Sequence, residues 1–177
     1  KEIEQCAKGG MRGIGEMMPH LQNFDLANFD LMAPIAETIE KLDLIFLVHC
    51  TEPVGHIYPG KGDVFPQTVY QFISNFPNMK VVCGHWGGGL PFYSLMPEVA
   101  GVLNNTYFDS AASPLLYRPD IFNIVSQIVG PGKILFGSDF PLIKQNRIVK
   151  MLDAMDIEAE HRKDILGNTA RRLLGLK

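Results

Sequence analysis

Three short apolar runs, each typical of a buried strand, are followed by a side chain that can bind a metal ion. In chain order, the pairs are 44–48 with His49, 79–83 with His85, and 133–136 with Asp139. A buried parallel strand has no structural need to end in imidazole or carboxylate. In α/β barrels, however, the carboxyl ends of the strands face the active site. The pattern therefore predicts an α/β protein in which these side chains meet at one edge of the sheet.

The periodicity alternates between strands and helices about five times, and helices close the chain. Strands are predicted at 12–16, 44–48, 79–84, 106–109 and 133–137. Helices are predicted at 1–9, 30–42, 66–76, 91–103 and 119–129, with later ones broken near Asp156 and Gly167. Asp30 is the expected cap of the second helix, with Pro34 in its first turn. Residues 50–65 form a long loop rich in Gly and Pro.

Five parallel strands with crossover helices fit two architectures. One is a complete doubly wound sheet, and the other is part of an eight-stranded barrel, which normally takes about 250 residues. The length of 177 residues favours the open sheet. Lys1, in contrast, lies inside a predicted helix with no cap or initiator Met before it, which favours a chain cut at its front.

Composition limits the functional classes. A net charge of −3 gives no support to nucleic-acid binding, and no apolar stretch approaches the ~18 residues of a membrane span. No signal peptide follows Lys1. The three cysteines are widely spaced with no CxxC, which is typical of a reducing compartment and of buried small side chains. The expected location is the cytoplasm, and the expected partner is a small-molecule substrate.

Taken singly, each of the three residues has an ordinary structural explanation. A histidine after a strand is often a hydrogen-bonded core residue, and Asp139 fits a turn or a helix cap. Together they favour a metal site, because neutral imidazole and carboxylate are good zinc ligands. A catalytic metal keeps one position open for water and lowers the pKa of that water, while His85 and Asp139 suit proton transfer.

Four segments carry a resemblance to a known family: 49–56, 84–92, 107–110 and 135–141. The His-Trp-Gly-Gly-Gly and Gly-Ser-Asp-Phe-Pro parts are the most specific. These segments, together with 167–175, resemble the amidohydrolase-related family of metal-dependent TIM-barrel hydrolases and decarboxylases. The resemblance implies a partial (β/α)8 barrel. The single domain 1–177 would hold strands four to eight, and the N-terminal βα units would be missing.

The resemblance also implies roles for the site residues. His49 matches the metal-binding histidine after strand five, and Asp139 matches the aspartate after strand eight, a metal ligand and proton shuttle. His85 matches the histidine after strand six, which lies beside the metal-bound water in mononuclear members and binds metal in binuclear ones. The family's His-x-His on strand one is not present in this sequence, so the site as given is incomplete.

Other residues are candidates for supporting roles. Glu16 occupies the strand-four position, where a bridging or outer carboxylate is found in related hydrolases; a capping or surface role is the alternative. Asp109 could orient a histidine or belong to a turn. On the long loop, His56 and Lys61 could contact an anionic substrate or lie in solvent. The run 87–89 lacks the spacing of a nucleotide-binding loop, so we expect a tight turn near the metal centre.

The leading hypothesis is a zinc-dependent hydrolase that activates water against a C–N or C–O bond of a small substrate. A decarboxylase of the same family is the alternative. From a different class, a doubly wound domain without metal chemistry could bind a small ligand, and a family member that has lost catalysis could act as a scaffold. Homo-oligomerisation rests on family analogy alone.

Overall fold

The computed structural model describes residues 1–176, whose centre is a five-stranded parallel sheet. Each strand pairs with its neighbours in parallel. The strands are β1 (Gly13–Met17), β2 (Ile45–Val48), β3 (Lys80–Cys83), β4 (Thr106–Asp109) and β5 (Ile134–Leu135). All five lie within a residue or two of the predicted runs, because buried strands and flanking turn residues are strong signals.

The strands follow one another across the sheet in chain order, from β1 to β5. A doubly wound sheet places its ligand where the strand order reverses, and this order has no reversal within residues 1–176. The doubly wound alternative therefore does not fit. Sequential parallel order is the order of barrel strands, although the wider barrel stays a prediction.

Ten α-helices connect or flank the strands in the described residues. They are α1 (Glu2–Lys8), α2 (Pro19–Gln22), α3 (Phe29–Lys41), α4 (Pro66–Asn75), α5 (Pro97–Val102), α6 (Ser113–Leu116), α7 (Ile121–Val129), α8 (Gln145–Asp153), α9 (Ala159–Lys163) and α10 (Thr169–Leu174). The predicted break at Gly167 is wrong, since one widened turn over Asp164–Asn168 joins α9 to α10. No helix in this part of the chain has the length and apolar character to cross a membrane.

Helix α3 differs from its prediction in its N-terminal cap and in the position of Pro34. The side chain of Asn28, not Asp30, caps it by accepting a hydrogen bond from the Leu31 amide at 3.1 Å. Pro34 consequently lies beyond the first turn, inside the helix. The buried positions Met32, Ala36 and Ile39 lie three or four residues apart, which is the spacing of one apolar helix face, while Leu31 is 43% exposed.

The segment after β3 is not the helix that was predicted from 91. Residues Trp86 to Gly89 have positive φ, between 57° and 96°. The three glycines of this segment tolerate such a backbone at little cost. A Cβ at Gly88 would overlap the carbonyl oxygen of Thr51. The glycine run is thus a tight turn, as expected, but it brings its backbone against the loop after β2. Helix α5 begins only at Pro97.

Helix α4 packs against β2 and fixes the position of that strand. Val69, Phe72 and Ile73 of α4 are at most 1% exposed, and the Phe72 ring packs 5.2 Å from that of Phe46 in β2. Complete burial of such a side chain stabilises the fold by about 1.5–3 kcal/mol. This packing holds β2, and with it the residue that follows the strand, in a fixed position.

Candidate metal centre

The carboxyl ends of β1, β2 and β3 bring three potential metal ligands to one point. Val48 pairs with Met17 on one side and with Cys83 on the other, so these strands end level with one another. Glu16 lies at the end of β1, His49 follows β2, and His85 follows β3 by two residues. Residues far apart in sequence therefore meet because the parallel register aligns the strand ends.

The three side chains form a compact triangle. Oε1 of Glu16 lies 2.9 Å from Nδ1 of His49 and 3.5 Å from Nε2 of His85. The two imidazoles are joined by a 3.1 Å contact between His49 Nδ1 and His85 Nε2. One ligand atom from each residue can be chosen so that all lie within 4.8 Å of one another. One carboxylate and two imidazoles are a donor set suited to zinc and other divalent transition metals.

Two of the three donor side chains are buried, since His49 is 6% exposed and His85 is 7% exposed. The nitrogens that contact Glu16 are Nδ1 of His49 and Nε2 of His85, and these are the ligand atoms that the triangle offers. The other nitrogen of His49, Nε2, is buried without a hydrogen-bond partner. The residues present thus fit a divalent cation at this edge of the sheet.

Backbone geometry places His85. Its φ is 54°, in the left-handed region, and Oδ1 of Asp109 accepts hydrogen bonds from the amides of His85 at 2.9 Å and Ala111 at 3.0 Å. The His85 ring places Nδ1 3.3 Å from the carbonyl oxygen of Ala111. Asp109 was a candidate for orienting a histidine. It does contact one, but through the main chain and not the ring.

Charges and hydrogen bonds in the cluster of Glu16, His49 and His85 shift the pKa values of its side chains. Hydrogen bonds from His49 and His85 lower the pKa of Glu16 from 4.5 to about 2. Burial alone would lower the pKa of His85, but the Glu16 hydrogen bond and the charges of Asp109, Glu16 and Asp139 raise it from 6.5 to about 9. Burial raises the pKa of Asp109. Without a metal, these shifts of the two pKa values favour an ionised Glu16 beside a protonated His85 at neutral pH.

Asp139 follows β5 with φ of 66° and lies near enough to contribute to the raised pKa of His85. It does not belong to the group of three whose ligand atoms lie within 4.8 Å of one another. Its assignment as a metal ligand and catalytic residue stays a prediction. The structure brings Glu16 into the group of candidate ligands instead, from a position for which the sequence left two roles open.

The long loop after β2 is held by its own polar contacts. Nζ of Lys61 donates to the carbonyls of Val54 at 2.9 Å and His56 at 3.1 Å, and the Tyr58 hydroxyl donates to Glu52 at 3.2 Å. The side chain of His56 is exposed and packs beside the Tyr58 ring. Lys61 therefore braces the loop here, and the substrate contacts suggested for His56 and Lys61 stay predictions.

Sequence reasoning missed His20, to which it gave no role. Its ring centroid lies 5.6 Å from that of His49. Its position in the sequence could have indicated a site role. Pro19 and His20 follow β1 within three residues and so lie at the same edge of the sheet as the other site residues.

A family model described as Amidohydrolase matches residues 1–176. The chain belongs to this amidohydrolase family. The resemblance that was drawn from the sequence motifs is thus confirmed. Because the match spans nearly the whole chain, it covers the strand ends that carry Glu16, His49 and His85.

Three relatives illustrate the family. A 6-methylsalicylic acid decarboxylase of Penicillium expansum is 27% identical over 120 residues, covering 57% of this chain and 36% of the relative. A Staphylococcus aureus protein with an amidohydrolase assignment has a TM-score of 0.76 at 25% identity, over 98% of this chain and 68% of that one. The 5-carboxyvanillate decarboxylase of Novosphingobium aromaticivorans, solved with manganese and a nitrobenzoic acid, has a TM-score of 0.75 at 20% identity, over 99% and 60%.

The chain spans about a third of the length of the curated relative that it matches. At 20% identity, the likeness to the carboxyvanillate enzyme concerns the fold. The α/β architecture with a parallel sheet is therefore common to this chain and to TIM-barrel amidohydrolases.

Proposed function

We propose that this protein is a metal-dependent decarboxylase of hydroxylated aromatic carboxylic acids. The convergence of Glu16, His49 and His85 on one point carries the metal-dependent part of the proposal. Decarboxylation is favoured over hydrolysis by the named activities of the relatives, which act on 6-methylsalicylic acid and 5-carboxyvanillate. In both of these compounds a carboxyl group lies next to a ring hydroxyl.

We further propose that the five strands are the fourth to eighth of a (β/α)8 barrel, with the remaining strands outside this chain. The sequential order of the strands supports this. β1 and β5 are the two outer strands of the sheet within residues 1–176. In a closed barrel, the free side of each would pair with one of the remaining strands.

Glu16, His49 and His85 would hold the cation, with Asp139 as a further ligand. The bound cation would supply positive charge that orients and neutralises a substrate carboxylate. Zinc suits the donor set, while manganese is the metal in the carboxyvanillate decarboxylase structure. Either metal is consistent with the proposal.

Decarboxylation breaks the bond between the ring carbon and the carboxyl carbon. Carbon dioxide leaves, the electron pair stays on the ring carbon, and that carbon must gain a proton. Asp139 and His85 are the residues that we assign to proton handling, because His85 lies in the cluster and Asp139 lies near it at the same edge of the sheet. His85 would have this role where its Nε2 lies beside the cation and does not bind it. The 7% exposure of His85 keeps bulk water from competing for this step.

The test uses the full-length natural protein loaded with Mn²⁺ or Zn²⁺. The two acids named above are supplied, and carbon dioxide release and loss of the carboxylate are measured. We expect turnover that a chelator abolishes. His49→Ala should abolish turnover, whereas His161→Ala, a change on α9, should leave it unchanged.

Hydrolysis is the second candidate, because a metal-bound water needs no groups beyond those described. A panel of amides, esters and lactones separates the two functions. Hydrolysis of the panel without any carbon dioxide release would replace the decarboxylase proposal. Absence of both activities in the metal-loaded protein would favour a binding or scaffold role.

A further inference from the structure

His20 lies beside the metal centre and has no structural partner. It belongs to the short helix α2, directly after β1, and its ring is tilted by 48° to that of His49 at a centroid distance of 5.6 Å. Both of its ring nitrogens are shielded from solvent, and neither makes a hydrogen bond. The Nε2 atom of His49 is in the same condition. Three buried imidazole nitrogens without partners thus belong to two adjacent rings.

Unpaired buried nitrogens destabilise the folded protein unless a ligand or another polar group pairs with them. Each unpaired buried nitrogen costs about 1–3 kcal/mol, and native proteins retain few of them outside functional sites. A cation held by Glu16, His85 and Nδ1 of His49 does not pair these nitrogens. Nε2 of His49 is on the other side of its ring, and His20 falls outside the group whose ligand atoms lie within 4.8 Å of one another.

The long loop also fits around His20. Gly62 lies against its imidazole so closely that a Cβ at this position would overlap Nδ1 and Cε1. Only a residue without a side chain allows this approach. Gly62 therefore covers part of the His20 ring, and the His49 ring lies near it. These two neighbours limit what the imidazole of His20 can contact.

We propose that His20 is a substrate-binding residue, which hydrogen-bonds the aromatic carboxylate held beside His49. The inference rests on the proposed function and names a contact within it. A neutral imidazole offers one N–H donor and one acceptor. A carboxylate oxygen of the ligand would accept from the N–H of His20. Because the two ring nitrogens point to opposite sides of the imidazole, this contact satisfies one of them.

The test measures ligand binding separately from turnover. The probe is 3-methoxy-4-hydroxy-5-nitrobenzoic acid, the ligand of the carboxyvanillate decarboxylase structure. Its 5-nitro group replaces the carboxylate next to the ring hydroxyl and cannot be lost as carbon dioxide, so the probe is titrated into the metal-loaded full-length protein by calorimetry without turnover. We expect His20→Gln and His20→Ala to weaken binding by about 10- to 100-fold with unchanged metal content. His161→Gln, the matched control on α9, should bind as the wild type does.

Gly62→Ala tests the same contact from the loop side and stays informative if His20→Ala fails to fold. The added methyl group should displace the imidazole and weaken the probe at least tenfold. In the double variant with His20→Gln, the two losses should not add, since both act on one contact. Additive losses, or unchanged probe affinity in His20→Gln, would overturn the inference. So would a parallel loss of metal, which would make His20 a support for the metal.

Failure of the inference and failure of the proposed function give different results. Wild-type protein that binds the probe but releases no carbon dioxide from any substrate contradicts the decarboxylase proposal, while the comparison with His20→Gln still decides the role of His20. Wild-type protein that binds metal but no aromatic carboxylate overturns both.

Discussion

His85 Nε2 lies 3.1 Å from His49 Nδ1, although 36 positions separate the two residues in the sequence. The contact exists because β2 and β3 are adjacent and level, so that the residues after their carboxyl ends lie side by side. Two imidazoles at this distance, with a carboxylate contacting both, are more easily explained as a metal site than as core packing.

Loss of a ligand should weaken metal binding sharply. Because changes to residues that only support ligands typically cost 10–100-fold in metal affinity, we expect Glu16→Gln and His49→Ala each to reduce Mn²⁺ or Zn²⁺ affinity by about 100-fold or more. Calorimetric titration of the metal-free protein measures this. His56→Ala, on the exposed part of the loop, serves as the control. Wild-type affinity in both site variants would contradict the assignment.

The stability of the metal-free protein should depend on pH through His85. Its pKa is raised from 6.5 to about 9, so the folded state binds the proton more tightly than the unfolded state does. The resulting stabilisation is complete below about pH 6.5 and is lost as the pH rises through about 9. Urea denaturation in the presence of a chelator should therefore show a falling free energy of unfolding across this interval.

Glu16→Gln is the matched control for that pH dependence, because it removes the hydrogen-bonding carboxylate that raises the pKa of His85. The fall in stability between pH 6.5 and 9 should shrink in this variant. An identical pH profile in wild type and variant would show that the two residues are not coupled.

Asp109 should be a positioning residue for His85. Asp109→Ala removes the acceptor of two amide hydrogen bonds, at His85 and Ala111. We expect a loss of about 3 kcal/mol in the free energy of unfolding. Asp109→Asn keeps an acceptor oxygen and should cost less, but it removes a charge that raises the pKa of His85. NMR titration of the metal-free Asp109→Asn protein should show that pKa lowered; an unchanged value would refute the coupling.

The glycine turn after β3 should tolerate no side chain. At Gly88, φ is 60° and a Cβ would overlap the Thr51 carbonyl oxygen, so Gly88→Ala should destabilise the fold by about 2–4 kcal/mol. Gly101 in α5 is exposed and has nothing within 4 Å of a Cβ. Gly101→Ala should stabilise by about 0.5–1 kcal/mol. Thermal denaturation compares the two, and equal effects would refute the close approach.

The strands and two of the three clustered candidate ligands could be predicted from sequence. Apolar runs bounded by turn residues locate buried strands, and the rule that active sites lie at carboxyl ends then selects His49 and His85. Glu16 was recognised only as a candidate, because strand pairing decides whether a residue at a strand end faces the neighbouring strand's histidine or solvent.

The errors have local physical causes. The cap of α3 is Asn28, not Asp30, since Asn and Asp are nearly equal in capping preference and the sequence does not choose between positions two residues apart. His20 was missed because it lies in a four-residue helix with no periodicity. Its importance depends on a ring 29 positions away and on the approach of Gly62, which are tertiary contacts.

The most direct test of the metal centre is anomalous diffraction from crystals of the full-length natural protein grown with Mn²⁺. The account predicts a manganese peak within about 2.5 Å of an imidazole nitrogen of His49. The side chains of Glu16 and His85 should lie next to the same peak. A peak bound elsewhere, with Glu16, His49 and His85 still in contact only with one another, would contradict it.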